Sequence, residues 1–198
     1  MNKKIRPGRL YEMPVVPRAG LLWLGFMVAL WSVFAVGLLT HPQDWIHVRM
    51  VEADVGWNVF WYILRNNLML ALLIIGGNLF VRFGRITPGV VILVIQAIII
   101  GWTAGTNSFA EPFATVHAAN IAFLRIGLWE TTAYVLMCGA TLNKSLFMAE
   151  TFPAKTWAKI TKWNEVAFTR TEIVISILAL LSLLGAAYTE AFFPLPVR

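Results

Sequence analysis

Residues 120–143 read NIAFLRIGLWETTAYVLMCGATLN, and nearly all of them are apolar. At 1.5 Å per residue, about 20 such residues cross the hydrocarbon core of a bilayer. Glu130 lies near the middle of the run. An acid at that depth costs at least about 2.5 kcal/mol on insertion scales, so it is expected to face other helices and to have a purpose.

The rest of the chain has the same character. It is 59% hydrophobic with a mean hydropathy of +0.71, against about 45–50% apolar residues in soluble proteins. Charged residues make up 13%, about half the usual share. The length fits one domain: a cytoplasmic N-terminal arm over 1–19 and a single five-helix transmembrane domain over 20–198. The net charge of +6 does not indicate nucleic acid, because the basic residues flank apolar spans instead of forming a patch with stacking aromatics. Cys138 is the single cysteine, which excludes an intrachain disulfide and a cysteine-based metal site. It reads as a small buried apolar side chain.

Four more spans surround the first. Residues 20–40 carry no charge and run longer than a signal-peptide core, so they read as an uncleaved anchor, although Ala35-Val36-Gly37 loosely resembles a cleavage site. A polar loop over 41–56 leads to Trp57, Trp61 and Tyr62, rings suited to the headgroup level. The next span, 62–81, opens with Arg65-Asn66-Asn67 and contains Gly76-Gly77-Asn78. Thr87-Pro88 is a helix start, and the span 88–105 holds Gln96 and the pair Gly101 and Gly105. That spacing either lets two membrane helices approach closely or is fortuitous. Phe109, Phe113 and Val116 suggest a short helix in the interface. The last span is 171–191.

Between the fourth and fifth spans, Lys155, Lys159 and Lys162 fall on one helical face, with Trp157, Ile160 and Trp163 on the other. This predicts an amphipathic helix flat on an anionic leaflet; a packed cytoplasmic hairpin is the alternative. The expected fold is therefore an all-α membrane protein of five transmembrane helices plus a cytoplasmic interfacial helix. With the N-terminus in the cytoplasm and the C-terminus outside, 12 of the 16 Lys and Arg residues fall inside and Arg49, Arg65, Arg125 and Arg198 outside. This is the positive-inside pattern of a multi-pass protein of the bacterial cytoplasmic membrane.

In hydrocarbon each unsatisfied polar group is costly. Glu130, Asn66, Asn67, Asn78 and Gln96 are accordingly expected to face inward together, with Asn67 the leading partner of Glu130. The cluster reads as a hydrogen-bonded clasp, a proton or substrate site, or an intermolecular contact. Arg65, Arg125 and Glu190 lie near the outer ends of spans two, four and five, within pairing range of one another. His41, His47 and His117 all fall on the outer side and outside the spans, so no metal or cofactor site is expected from them. The chain has no Ser/His/Asp order, no Gly-rich phosphate loop and no carboxylate pair at catalytic spacing.

From Leu64 onward the order of these features resembles the stage II sporulation protein M family of bacterial membrane proteins. The matching features are Asn66-Asn67, Gly76-Gly77, Gly101 and Gly105, Gly127-Leu128-Trp129-Glu130, and finally Gly185-Ala186-Ala187 with Glu190 and Pro194. Ile126 stands where the family commonly has histidine, and Gln96 lacks the glycine that often follows in the third helix. The resemblance implies an integral membrane protein without known catalysis. Its members are linked to assemblies that remodel the cell wall during engulfment, or are encoded beside transport systems.

The first expectation for function is a non-catalytic scaffold or assembly subunit of a larger membrane complex. The second is a transporter component with Glu130 as an intramembrane polar or proton site. A subunit of a pigment or haem complex and an unrecognised membrane enzyme remain further classes. The implied partners are the bilayer and other membrane proteins, with a homo-oligomer left open.

Overall fold

The computed structural model describes residues 9–46, 54–110 and 112–193. The expectations on Lys3, Lys4, Arg6, His47, Arg49, Pro194 and Arg198 lie outside the described residues. Five helices are long and apolar enough to cross a membrane: α1 (Val15–Thr40), α2 (Trp57–Phe80), α3 (Pro88–Gly105), α4 (Val116–Thr141) and α5 (Arg170–Phe192). The shortest has 18 residues, about 27 Å of helix. These five helices fit a multi-pass membrane protein.

Consecutive helices alternate in direction. The start of α1, the α2–α3 turn and the α4–α5 connection therefore share one end, where Tyr11 Oη donates to the Arg85 carbonyl (2.9 Å) and Leu146 N to that of Leu79 (2.7 Å). Burial pushes the Tyr11 hydroxyl up to about 12, against the opposing pull of Arg82, so it stays a donor. Arg18, Arg82, Arg85, Lys144, Lys155, Lys159, Lys162 and Arg170 all belong to this basic end.

Local chemistry explains most helix limits. Thr87 Oγ1 accepts from Val90 N (3.3 Å) and Pro88 takes the first position of α3, where its missing N–H costs nothing. Asn107 closes α3 at φ +50°, a conformation asparagine tolerates. Thr169 and Glu172 form a reciprocal capping box on α5. Helix α1 starts at Val15, inside the stretch expected to be an irregular arm, because Pro17 sits in its first turn. There Arg18 is buried with partners instead of being solvated.

Helix α4 is the centre of the bundle. From Thr131 to Leu142 all its residues are buried except the half-buried Thr132 and Leu136, the pattern of a helix surrounded on all sides. It touches α1, α2, α3 and α5. Around it, Phe26, Leu30, Ile74, Leu93, Val135, Cys138 and Leu183 form the main core. Helix α4 is not uniform: Phe123–Gly127 is a π-helical segment, and Thr131 Oγ1 donates to the Gly127 carbonyl beside it (2.7 Å).

Helices α1 and α3 make the closest pair. A Cβ on Gly101 would run into the Leu30 carbonyl, and one on Gly105 into the Phe34 carbonyl and Gly37. The glycine pair thus packs within the chain. Gly77 lies against Gly89, where a Cβ would come within 2.6 Å of the Gly89 nitrogen. A Cβ on Gly127 would meet the Phe123 ring at 2.8 Å, whereas one on Gly76 would meet only the Phe80 ring, at 4.0 Å.

Two stretches differ from the sequence-based expectation. Residues 106–110 and 112–115 are not helical. The Asn107 carboxamide instead accepts from Phe113 N and donates to Phe113 O (both 2.9 Å), imitating a strand partner. Residues 152–169 do not form an α-helix either. They contribute a strand to a small sheet at the basic end, so the protein is not all-α. Strand β1 (Val81–Phe83) pairs parallel with β2 (Phe147–Ala149), and β2 pairs antiparallel with β3 (Ala158–Lys159). The Leu146 carbonyl accepts from Ile160 N (2.9 Å). This pairing overrides the helical spacing of the lysines, and a 3-10 turn over Trp163–Glu165 follows.

Gly101→Val or Gly105→Val should force α1 from α3 and cost about 1–3 kcal/mol by overpacking. Gly25→Ala, at a position where a Cβ meets nothing within 4 Å, should be near neutral. Thermal unfolding of the three variants in detergent, followed by circular dichroism, checks this.

Candidate functional site

The polar side chains inside the bundle form two clusters at different depths. Asn67 and Asn78 lie eleven residues apart on α2, about 16 Å along the axis, so they cannot serve one acid.

In the cluster further from the basic end, Asn67 Nδ2 donates to Glu130 Oε1 and Tyr134 Oη donates to Asn67 Oδ1 (2.8 Å). One carboxamide thus bridges two groups four residues apart on α4, the spacing that shares a helix face. Glu130 is half-buried and stands just past the π-helical segment. Glu190, exposed near the end of α5, is within electrostatic range of both Glu130 and Tyr134. In the same region Arg125 donates to the Phe193 carbonyl (3.2 Å), tying α4 to the end of α5, while Arg65 is exposed on α2.

The other cluster, at the basic end of the bundle, centres on Asn78, which is fully buried. Its Nδ2 donates to Thr141 Oγ1 (2.9 Å) and to the Cys138 carbonyl (3.1 Å), and its Oδ1 accepts from Thr87 Oγ1 (2.5 Å). Ser145 Oγ donates to the Asn78 carbonyl (2.7 Å). Helices α2 and α4 and the cap of α3 therefore meet on one side chain.

Towards the basic end, Arg18 is 2% exposed. It donates to the carbonyls of Gly139 (2.9 Å) and Met13 (2.7 Å), and its Nε has no hydrogen-bond partner among the described residues. Lys144 pairs with Glu172 at 2.9 Å and donates to the Ala167 carbonyl (2.8 Å).

Of the five polar residues expected together, Glu130 and Asn67 meet, and Asn78 works elsewhere. Asn66 is exposed, one helical step away from Asn67. Gln96 is half-buried and makes no side-chain hydrogen bond among the described residues. Sequence pattern alone does not single out Tyr134, Thr141, Ser145 or Arg18. Tyr134 lies four residues from Glu130, on the same face of α4, and the others act through partners remote in sequence. Among the described residues no group of three or more His, Cys, Asp or Glu is placed to hold a metal. The chain matches no family model, no curated protein and no solved structure.

Asn78→Ala would leave Thr141, Thr87 and the Cys138 carbonyl short of a partner, at about 1–3 kcal/mol for each group left unsatisfied. Asn66→Ala should change stability by less than about 0.5 kcal/mol, as for an ordinary surface position. Comparing the two in chemical unfolding of the detergent-solubilised protein measures the difference.

Proposed function

We propose that the chain is a non-catalytic integral subunit, a scaffold or assembly partner, of a larger complex in the bacterial cytoplasmic membrane. The observation that carries this reading is that the clustered polar side chains in the bundle are engaged with one another. Asn78 ties three elements, and Tyr134, Asn67 and Glu130 form a chain of two bonds. Such networks rigidify a structure when their members are satisfied. The resemblance to the stage II sporulation protein M family supports the same reading, since members are linked to membrane assemblies. The excess of basic residues at one end of the bundle supports an N-terminus in the cytoplasm and a C-terminus outside.

A second reading, a transporter component, has a specific observation in its favour. Glu130 is only half-buried, a second carboxylate lies within electrostatic range, and the adjoining π-helical segment is of a kind frequent at functional sites.

Substitution at Glu130 separates the two. In a clasp, Glu130→Gln retains an acceptor for Asn67 and should be nearly neutral, while Glu130→Leu strands the Asn67 amide at about 1–3 kcal/mol. In a proton-transfer role neither variant ionises, and both should fail equally. Native purification with identification of co-purifying proteins gives the assembly readout: the scaffold reading expects the Gln variant to retain its partners and the Leu variant to lose them. Inactivity of a Gln variant that folds and assembles would overturn it.

Topology has its own test. Thr156→Cys and Asp54→Cys, each in a Cys138→Ser background, should label from the cytoplasmic and the outer face respectively with an impermeant maleimide. Labelling of both from one face would sink the five-span topology.

A further inference from the structure

We propose that residues 155–168, strung across the basic end of the bundle, form a surface that binds the headgroups of anionic phospholipids. The segment is fixed at both ends to spanning helices. At one end Ile160 N donates to the Leu146 carbonyl, and Leu146 N in turn to that of Leu79 in the last turn of α2. At the other, Lys144, just past α4, donates to the Ala167 carbonyl and sits over the Phe168 ring, 5.4 Å from its centre, and Thr169 caps α5. These bonds hold the segment where three helices leave the hydrocarbon, at the depth of the headgroups.

Its side chains suit that depth. Trp163 is 65% exposed and Ile160 41%, and tryptophan is enriched where one side of a ring is apolar and the other wet. Lys155, Lys159 and Lys162 are exposed alongside them. Between 155 and 170 four basic residues face one acid, Glu165, which offsets Lys162 at 3.6 Å. An exposed aromatic patch beside uncompensated lysines is a poor surface to leave in water. It complements a negatively charged leaflet, where each lysine adds attraction that falls off within about 10 Å. The occupant is thus the phosphate layer of lipids with net negative charge, contacted by a pinned loop and not by the helix that the lysine spacing suggests. The inference holds under either reading of Glu130.

The test uses the full chain reconstituted in phosphatidylcholine vesicles with increasing fractions of brominated phosphatidylglycerol. Trp163 fluorescence is taken as the difference between the unaltered protein and Trp163→Phe. Quenching should exceed that by brominated phosphatidylcholine at equal bromine content. Changing Lys155, Lys159 and Lys162 together to Gln should raise the half-quenching fraction of phosphatidylglycerol by up to about fivefold per lysine. Circular dichroism checks that the variants fold. Equal quenching by the two lipids, or an unchanged response in the triple-Gln protein, would overturn the proposal. So would a Trp163 that stays unquenched by lipid and responds only when other membrane proteins are added, since the surface would then be a protein contact.

Discussion

A fully buried carboxamide has no water to fall back on, and Asn78, in the last turn of α2, is placed under that constraint. Its two donors and its acceptor oxygen must be met by protein: the donors are met by the Cys138 carbonyl and Thr141 at the end of α4, and the oxygen by Thr87 at the cap of α3. The requirement fixes more than one bond. Thr87 both caps its own helix and reaches Asn78, so the start of α3 cannot shift without opening the cluster. Gly89 lets that start approach: a Cβ there would collide with the Asn78 side chain. The polar demand and the close packing are one arrangement, since any bulk that separated α2 from α3 would also leave the carboxamide unbonded.

Further along the bundle, near the middle of α2 and α4, the same logic is looser. The Asn67–Glu130–Tyr134 chain joins two helices instead of three elements, and its acid is only half-buried. The polar contacts are thus tightly closed at the basic end and more open towards the middle of the bundle. That gradient is why two functional readings attach to Glu130 and none to Asn78.

The spanning helices were readable in the sequence because lipid demands long apolar runs and local signals end them. Thr87-Pro88 and Asn107 bracket α3 tightly enough that its range, 88–105, follows from the residues alone. The start of α1 was not readable, since Arg18 looks like a solvated flank until the Gly139 and Met13 carbonyls are brought to it. The sheet at the basic end was invisible for a related reason. Its strands hold three, three and two residues, too few for a periodic pattern, and β1 finds β2 more than sixty residues away. Within the candidate site, composition grouped Asn66, Asn67, Asn78 and Gln96 together. Helical geometry then separated them, because neighbouring side chains diverge by about 100° and eleven residues are about 16 Å.

The π-helical segment Phe123–Gly127 has a consequence for how the central helix tolerates change. Such a segment holds one more residue than the α-turn it replaces, so it acts as a phase shift between the two halves of α4. Deleting one residue there would leave the stretch after it, with Glu130, Tyr134 and Cys138, in register with its neighbours. The first turns of α4 would rotate by about 100°, carrying Arg125 away from the Phe193 carbonyl. The stretch from Thr131 to Thr141 is gripped on all sides, whereas the first turns of α4 are set by this offset together with the Arg125 bond to the Phe193 carbonyl, so a change of length is better absorbed there than in the core.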